Sequence, residues 1–173
     1  MYALLIVDVQ VGLVHGQEKP WRCEALLATI NELMDKARNA GAPIFLARHV
    51  GPAGSPVAPD SVLTQLAPEL RLAGGEVVFE KHRPNAFTRT ALAEDLRALG
   101  VTGVVIAGMK TQYCVDSTCR AARDLGFEAV LVADGHSCTD TGQMRAEQIV
   151  AHHNATLEGA FCEVVLGRDW TFK

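Results

Sequence analysis

The feature that most constrains the fold is an alternation of short apolar runs with helix-like segments along nearly the whole chain. The apolar runs cover residues 3–9, 44–47, 76–79, 102–107, 128–133 and 161–165. Apolar residues recur at helical spacing in segments 23–39, 88–99, 114–125 and 142–157. Short runs that are apolar on both faces and alternate with helices indicate a mostly parallel sheet covered on both sides. We therefore predict a single α/β domain over residues 1–173. It should be a three-layer, doubly wound, Rossmann-like domain with six strands in the order 3-2-1-4-5-6.

The exception to this alternation is the segment 49–75, which contains four prolines and four glycines. It has at most one short helix, around residues 60–66. Loops of this length in compact domains are usually functional or interfacial. We expect an active-site lid or a subunit contact, and the alternative is a surface excursion without a role.

Composition excludes several classes of partner. The formal charge of −4 and the absence of a basic stripe argue against nucleic acid. There is no basic amphipathic helix and no apolar segment near the ~20 residues of a membrane span, so no membrane partner is expected. Neither a G-x-G-x-x-G nor a P-loop sequence is present, and we expect no cofactor.

The five cysteines are odd in number and form no C-x-x-C pair. The apolar start of the chain also lacks the charged beginning of a signal peptide. Reduced thiols and a cytoplasmic location are therefore expected.

Three reactive side chains follow predicted strands: Asp8 after the first, Lys81 after the third and Cys114 after the fourth. Ligands bind at the carboxyl ends of strands in such sheets, so these groups should meet there. Cys114 should begin a helix, whose dipole is expected to lower the thiol pKa and favour the nucleophilic thiolate. Taken singly, each has an ordinary interpretation, as a cap or salt-bridge partner, a solvated lysine or a small buried hydrophobe.

Three segments together resemble the signature blocks of the isochorismatase-like cysteine hydrolase superfamily. They are Asp8-Val9-Gln10, residues 81–90 (KHRPNAFTRT) and residues 108–115 (GMKTQYCV). The resemblance implies a catalytic triad of Asp8, Lys81 and Cys114. It also implies a cis peptide between Met109 and Lys110, and an oxyanion hole built from the backbone N–H groups of Lys110 and Cys114.

The resemblance implies a hydrolase that acts on a small-molecule substrate. Retention of Cys114 favours cleavage of a C–N bond in an amide or ureido compound through a thioester, without a metal. The alternatives are vinyl ether hydrolysis of the isochorismatase type and a nicotinamidase-like amidase. Outside the hydrolases stand a thiol redox protein, for which Cys119 is a poor resolving partner, and a catalytically inactive binding homologue.

The chain departs from parts of the family pattern. No carboxylate precedes His49 by two residues, as it does in the metal-binding members, so we predict no metal. Leu13 stands where the family often has Phe, and Asn85 where it often has Ser. The candidate pocket residues, all near the three blocks, are Gln10, Leu13, His15, Asn85, Phe87 and Tyr113. A homo-oligomer is expected, with dimer and tetramer left open.

Overall fold

The structure, a computed structural model, describes all 173 residues. Its centre is a six-stranded sheet with strand order β3-β2-β1-β4-β5-β6, in which every neighbouring pair is parallel. The strands are β1 (Tyr2–Val7), β2 (Ile44–His49), β3 (Val77–Lys81), β4 (Gly103–Met109), β5 (Glu128–Ser137) and β6 (Glu163–Val165). The predicted fold class and strand order are confirmed.

Helices cover both faces of the sheet because successive strand residues point to opposite sides. In β1, Ala3, Leu5 and Val7 join one buried apolar cluster, whereas Leu4 and Ile6 join the other. The second cluster also holds the apolar side of α2, and the first holds those of α3 and α4. The helices are α1 (Val11–Val14), α2 (Cys23–Asn39), α3 (Leu92–Ala98), α4 (Asp116–Asp124) and α5 (Ala146–Leu157).

Two helices begin four residues later than the apolar spacing predicts. The helix α3 starts at Leu92 and not near Thr88, since Arg89 adopts a left-handed backbone conformation (φ +58°) that a helix cannot contain. The helix α5 starts at Ala146 and not near Gly142. The Arg145 N–H donates to Gln148 Oε1 at 3.1 Å, and the Ala146 N–H donates to Asp140 Oδ1 at 2.8 Å, which fixes this start.

The segment 49–75 lies against the chain that leaves β1. The Val11 N–H donates to the Gln65 carbonyl at 2.9 Å, and the Ala67 N–H donates to the Val9 carbonyl at 2.9 Å. The predicted short helix is a single 3₁₀ turn, Val62–Thr64. These bonds hold the segment beside the carboxyl ends of the central strands.

None of the helices has the length and apolar character that a membrane crossing requires. All five cysteines are free thiols. Cys119, Cys138 and Cys162 are buried, whereas Cys23 and Cys114 are partly exposed.

Candidate active site

Asp8 is the first residue beyond β1 and has a left-handed backbone conformation, with φ +52°. Aspartate tolerates this region better than most residues. Its N–H donates to the Ala47 carbonyl at 3.0 Å, which fixes the strand exit beside β2. The carboxylate is 1% exposed, so it cannot be stabilised by bulk water.

Lys81 is the last residue of β3, and its side chain is wholly buried. Its Nζ lies 2.8 Å from Asp8 Oδ2 and 3.4 Å from Cys114 Sγ. A third contact, at 3.1 Å, is with the Arg83 carbonyl oxygen. A buried ammonium needs such partners, because an isolated one would be strongly destabilised. The structure thus brings Asp8, Lys81 and Cys114 together.

Cys114 lies in a π turn, Thr111–Val115, that connects β4 to α4. Burial and the neighbouring Asp8 carboxylate raise the pKa of its thiol to about 12. The expected lowering of this pKa is therefore wrong. The helix proper begins two residues later, at Asp116, and desolvation together with a nearby negative charge outweighs the dipole.

The second oxygen of Asp8 is free to act as a proton acceptor. Oδ1 is buried and has no hydrogen-bond partner, although Oδ2 is bound to Lys81. The ligand atoms of Asp8 and Cys114 lie within 4.8 Å of each other. Burial also raises the pKa of Asp8, against the opposing effect of Lys81. A raised pKa makes this carboxylate a stronger base than an exposed aspartate.

The peptide between Met109 and Lys110 is cis. Lys110 then leads into the π turn, and its carbonyl accepts from the N–H groups of Tyr113 and Val115 at 3.1 and 3.3 Å. The Lys110 N–H is not a donor in any of the turn and loop hydrogen bonds. It is therefore available to a ligand beside Cys114.

The π turn is anchored from below by a buried histidine. His136 Nδ1 lies 2.8 Å from Thr111 Oγ1, and His136 Nε2 lies 2.8 Å from Asn154 Oδ1. Burial lowers the pKa of His136 to about 4, so the ring is neutral at pH 7. A neutral imidazole donates at one nitrogen and accepts at the other, which suits these two partners.

His49 is also a site residue. From the sequence, it is considered only as a metal ligand. Its Nδ1 lies 3.3 Å from Lys81 Nζ. Burial and the positive charge of Lys81 lower its pKa, so this ring too is neutral at pH 7. Gln10 holds the His49 backbone, accepting from its N–H at 2.8 Å and donating to its carbonyl at 3.1 Å.

Asp8, His49 and Cys114 carry metal-ligand atoms within 4.8 Å of one another. All three side chains contact the Lys81 ammonium, which supplies a positive charge in the place where a cation would have to bind. A metal there would be repelled by Lys81. The donor set therefore does not fit a metal while Lys81 is charged.

A cavity of about 320 Å³ opens over Cys114. Three of the predicted pocket residues, Gln10, Leu13 and Tyr113, line it. The lining residues not assigned to the pocket from sequence are Gly12, His49, Val57, Leu63 and Lys110. Val57 and Leu63 belong to the segment 49–75, so this segment forms one wall of the cavity.

Three other predicted pocket residues lie elsewhere, which corrects the sequence interpretation. His15 lines a separate cavity and forms an ion pair with Glu69 at 2.7 Å. Phe87 is buried in the core and stacks on Phe127. Asn85 does not line the cavity, and its Oδ1 accepts from the Phe87 N–H at 2.9 Å. Asn85 and Phe87 follow Lys81 closely in sequence, but neither lines the cavity.

Residues 2–165 match the family model of the isochorismatase domain. The chain belongs to the isochorismatase family. Members of this family are hydrolases, and some are amidohydrolases. The family-level prediction from the three sequence blocks is confirmed.

Individual isochorismatase-family proteins are similar over most of the chain. The secreted isochorismatase effector Isc1 of Verticillium dahliae is 31% identical over 96% of this chain and 88% of its own length. A streptothricin hydrolase of Streptomyces noursei is 33% identical over 80% of this chain, which is 50% of its own length. The crystal structure of an isochorismatase from Pseudomonas putida superposes with a TM-score of 0.89, at 32% identity over 96% of this chain and 88% of that one.

Proposed function

We propose that this isochorismatase-family protein is a metal-independent cysteine hydrolase that cleaves a C–N bond in a small amide or ureido substrate. One observation carries the proposal. Lys81 Nζ bridges Asp8 Oδ2 at 2.8 Å and Cys114 Sγ at 3.4 Å, at the base of a cavity open to ligands. A nucleophile, a base and a charge partner in contact are the elements of a nucleophilic site.

The raised pKa values determine how the reaction would begin. With a pKa of about 12, Cys114 rests as a thiol at pH 7. The thiol proton passes to Asp8 Oδ1 as Sγ bonds to the substrate carbonyl carbon. The carbonyl electron pair moves to oxygen, and the backbone N–H groups of Lys110 and Cys114 stabilise the resulting oxyanion.

The rest of the cycle uses the same carboxyl group. Asp8 returns its proton to the leaving nitrogen as the C–N bond breaks, which leaves a thioester on Cys114. Water then attacks the thioester and gives a proton to Asp8. The C–S bond breaks as Asp8 reprotonates the sulfur, so the free enzyme is restored and every proton is accounted for. Lys81 stays in contact with Asp8 and compensates the negative charge on its carboxylate.

The test is ammonia release from a panel of small amides and ureido compounds, with and without chelator, together with intact-mass detection of acylated Cys114. We expect release that is insensitive to chelator, and loss of both signals in Cys114→Ala. Cys23→Ala is the matched control, because Cys23 is also a partly exposed free thiol but lines a different cavity. It should retain full activity.

Three outcomes would contradict the proposal: undiminished hydrolysis by Cys114→Ala, activity abolished by chelator, or no turnover of any compound in the panel. Pyruvate release from isochorismate would instead favour vinyl ether hydrolysis. A redox role has less support, since Cys119 is wholly buried in the core and inaccessible to solvent.

A further inference from the structure

The exposed surface of the cavity over Cys114 is mostly apolar. Leu13, Val57, Leu63 and Tyr113 present apolar surface to it, whereas no arginine lines it. We propose that the site takes neutral amides or ureas that carry an apolar substituent and rejects substrates that carry a carboxylate. This inference rests on the proposed function, since it names the substrate class of the same site.

The side-chain amide of Gln10, which lines the cavity, is already bonded within the protein. The Gln10 amide donates to the His49 and Thr64 carbonyls at 3.1 and 2.9 Å, and its oxygen accepts from the His49 N–H at 2.8 Å. Gln10 therefore lines the cavity without a free donor to offer a ligand. Its amide fixes the wall rather than selecting the substrate.

The cationic groups near the cavity are also engaged. Lys110 is the one lysine of the lining, and its Nζ donates to Thr139 Oγ1 at 3.1 Å. Lys81 lies beneath the lining and is bound to Asp8. Arg48 donates to the Thr64 carbonyl at 3.0 Å and does not line the cavity. A substrate carboxylate would thus be desolvated and would have to compete with Thr139 for Lys110 or with Asp8 for Lys81.

The position of Leu63 in the apolar wall depends on its close contact with Gly12 of α1. A Cβ at this position would lie 3.0 Å from the Leu63 carbonyl oxygen and 3.1 Å from Leu63 Cβ. The absence of a side chain lets the 3₁₀ turn approach α1 closely. With Val11 bound to Gln65, Leu63 is fixed beside the cavity as a wall against which an apolar substituent can pack.

A matched pair of substrates tests the inference: hexanamide, which is neutral, and adipamic acid, which has the same chain length and ends in a carboxylate. On the enzyme of residues 1–173 we expect kcat/KM for hexanamide to exceed that for adipamate about 100-fold or more, because the carboxylate loses its hydration in an apolar cavity whose nearby cations already have partners. Comparable or higher kcat/KM for adipamate would overturn the inference.

Leu63→Arg and Leu63→Met separate charge from shape. Leu63 is 37% exposed, so both changes should be compatible with folding, which thermal unfolding checks. The arginine variant adds the missing cation, so its preference for hexanamide should shrink at least 10-fold or reverse. The methionine variant should keep the preference. An unchanged preference in a folded Leu63→Arg enzyme would count against the inference.

Binding distinguishes this inference from the hydrolase proposal. Saturation-transfer NMR on the Cys114→Ala variant should show contact with hexanamide and none with adipamate, whether or not the wild-type enzyme turns either compound over. If hexanamide binds but no compound of the panel is hydrolysed, the hydrolase proposal fails and the cavity's selectivity stands. If adipamate binds as well as hexanamide, or neither binds, the inference is wrong.

Discussion

Asp8 and Cys114 compete for one proton beside a buried ammonium. The Asp8 carboxylate raises the pKa of the thiol, while Lys81 acts in the opposite direction. A nucleophile with a pKa of about 12 is not a preformed thiolate, so the site depends on proton transfer during attack. This distinguishes it from cysteine sites in which a low pKa supplies the thiolate in advance.

Asp8→Asn should therefore separate thiol ionisation from catalysis. The change removes the negative charge that disfavours the thiolate and leaves Lys81 in place, so the Cys114 pKa should fall below about 12. Hydrolysis should nevertheless drop by about 10³-fold, because the proton acceptor is lost. The pH dependence of iodoacetamide alkylation at Cys114, read by peptide mass spectrometry, measures the first effect, and kcat/KM measures the second.

Alkylation of Cys23 in the same samples provides the control, since it lines a separate cavity and its pH dependence should not change. An alkylation profile of Cys114 that moves to higher pH in Asp8→Asn would contradict this account. So would an unchanged kcat/KM.

At the scale of elements, the sheet was predictable because its signal is local. Each strand is a short run that is apolar on both faces, and β1 shows this with buried residues on alternate sides. The placement of Asp8 and Cys114 follows, because the strand order puts β1 beside β4. Chain order and the rule for ligand sites together suffice for this part of the site.

The elements between the strands were less predictable. The π turn before α4 depends on contacts from β5, such as the bond of His136 to Thr111, which are distant in sequence. Likewise, Val57 and Leu63 reach the cavity through hydrogen bonds between the segment 49–75 and the exit of β1. Apolar spacing contains no information about such long-range contacts. The sequence therefore suggested a role for the segment 49–75 at the active site, but neither the residues that form the pocket wall nor the raised thiol pKa.

The close approach of β4 to β1 makes Gly108 a sensitive position. Its φ is +127°, and a Cβ there would overlap the Val7 carbonyl. Gly108→Ala should lower the free energy of unfolding by about 3 kcal/mol or more, since both the backbone conformation and the strand contact oppose it. Urea unfolding followed by circular dichroism measures the change.

Gly142→Ala is the matched control, because no heavy atom lies within 4 Å of a Cβ built at that position. Its effect should stay within about 1 kcal/mol. Equal stabilities for the two variants would mean that the strands do not pack as described.

At the scale of the whole molecule, His136 ties three separate parts of the fold together. It belongs to β5, contacts Thr111 of the π turn and contacts Asn154 of α5, both at 2.8 Å. Asn154 in turn donates to the Ala133 carbonyl at 3.2 Å. Protonation of His136 would remove its acceptor nitrogen and break the bond that Thr111 donates.

Part of the destabilisation of the protein by acid should accordingly come from this group. Burial lowers the folded-state pKa of His136 from 6.5 to about 4, so the unfolded chain binds the proton more readily. The neutral ring stabilises the fold above pH 6.5, and this contribution is lost as pH falls toward 4, by about 3 kcal/mol in total. In His136→Gln this pH dependence should be absent. The difference in urea midpoint between the wild type and this variant should therefore shrink between pH 7 and pH 4.

His152→Gln provides the control, because His152 is exposed and its replacement should leave the wild-type pH profile unchanged. A wild-type advantage that stays constant over this range would show that His136 does not couple folding to pH.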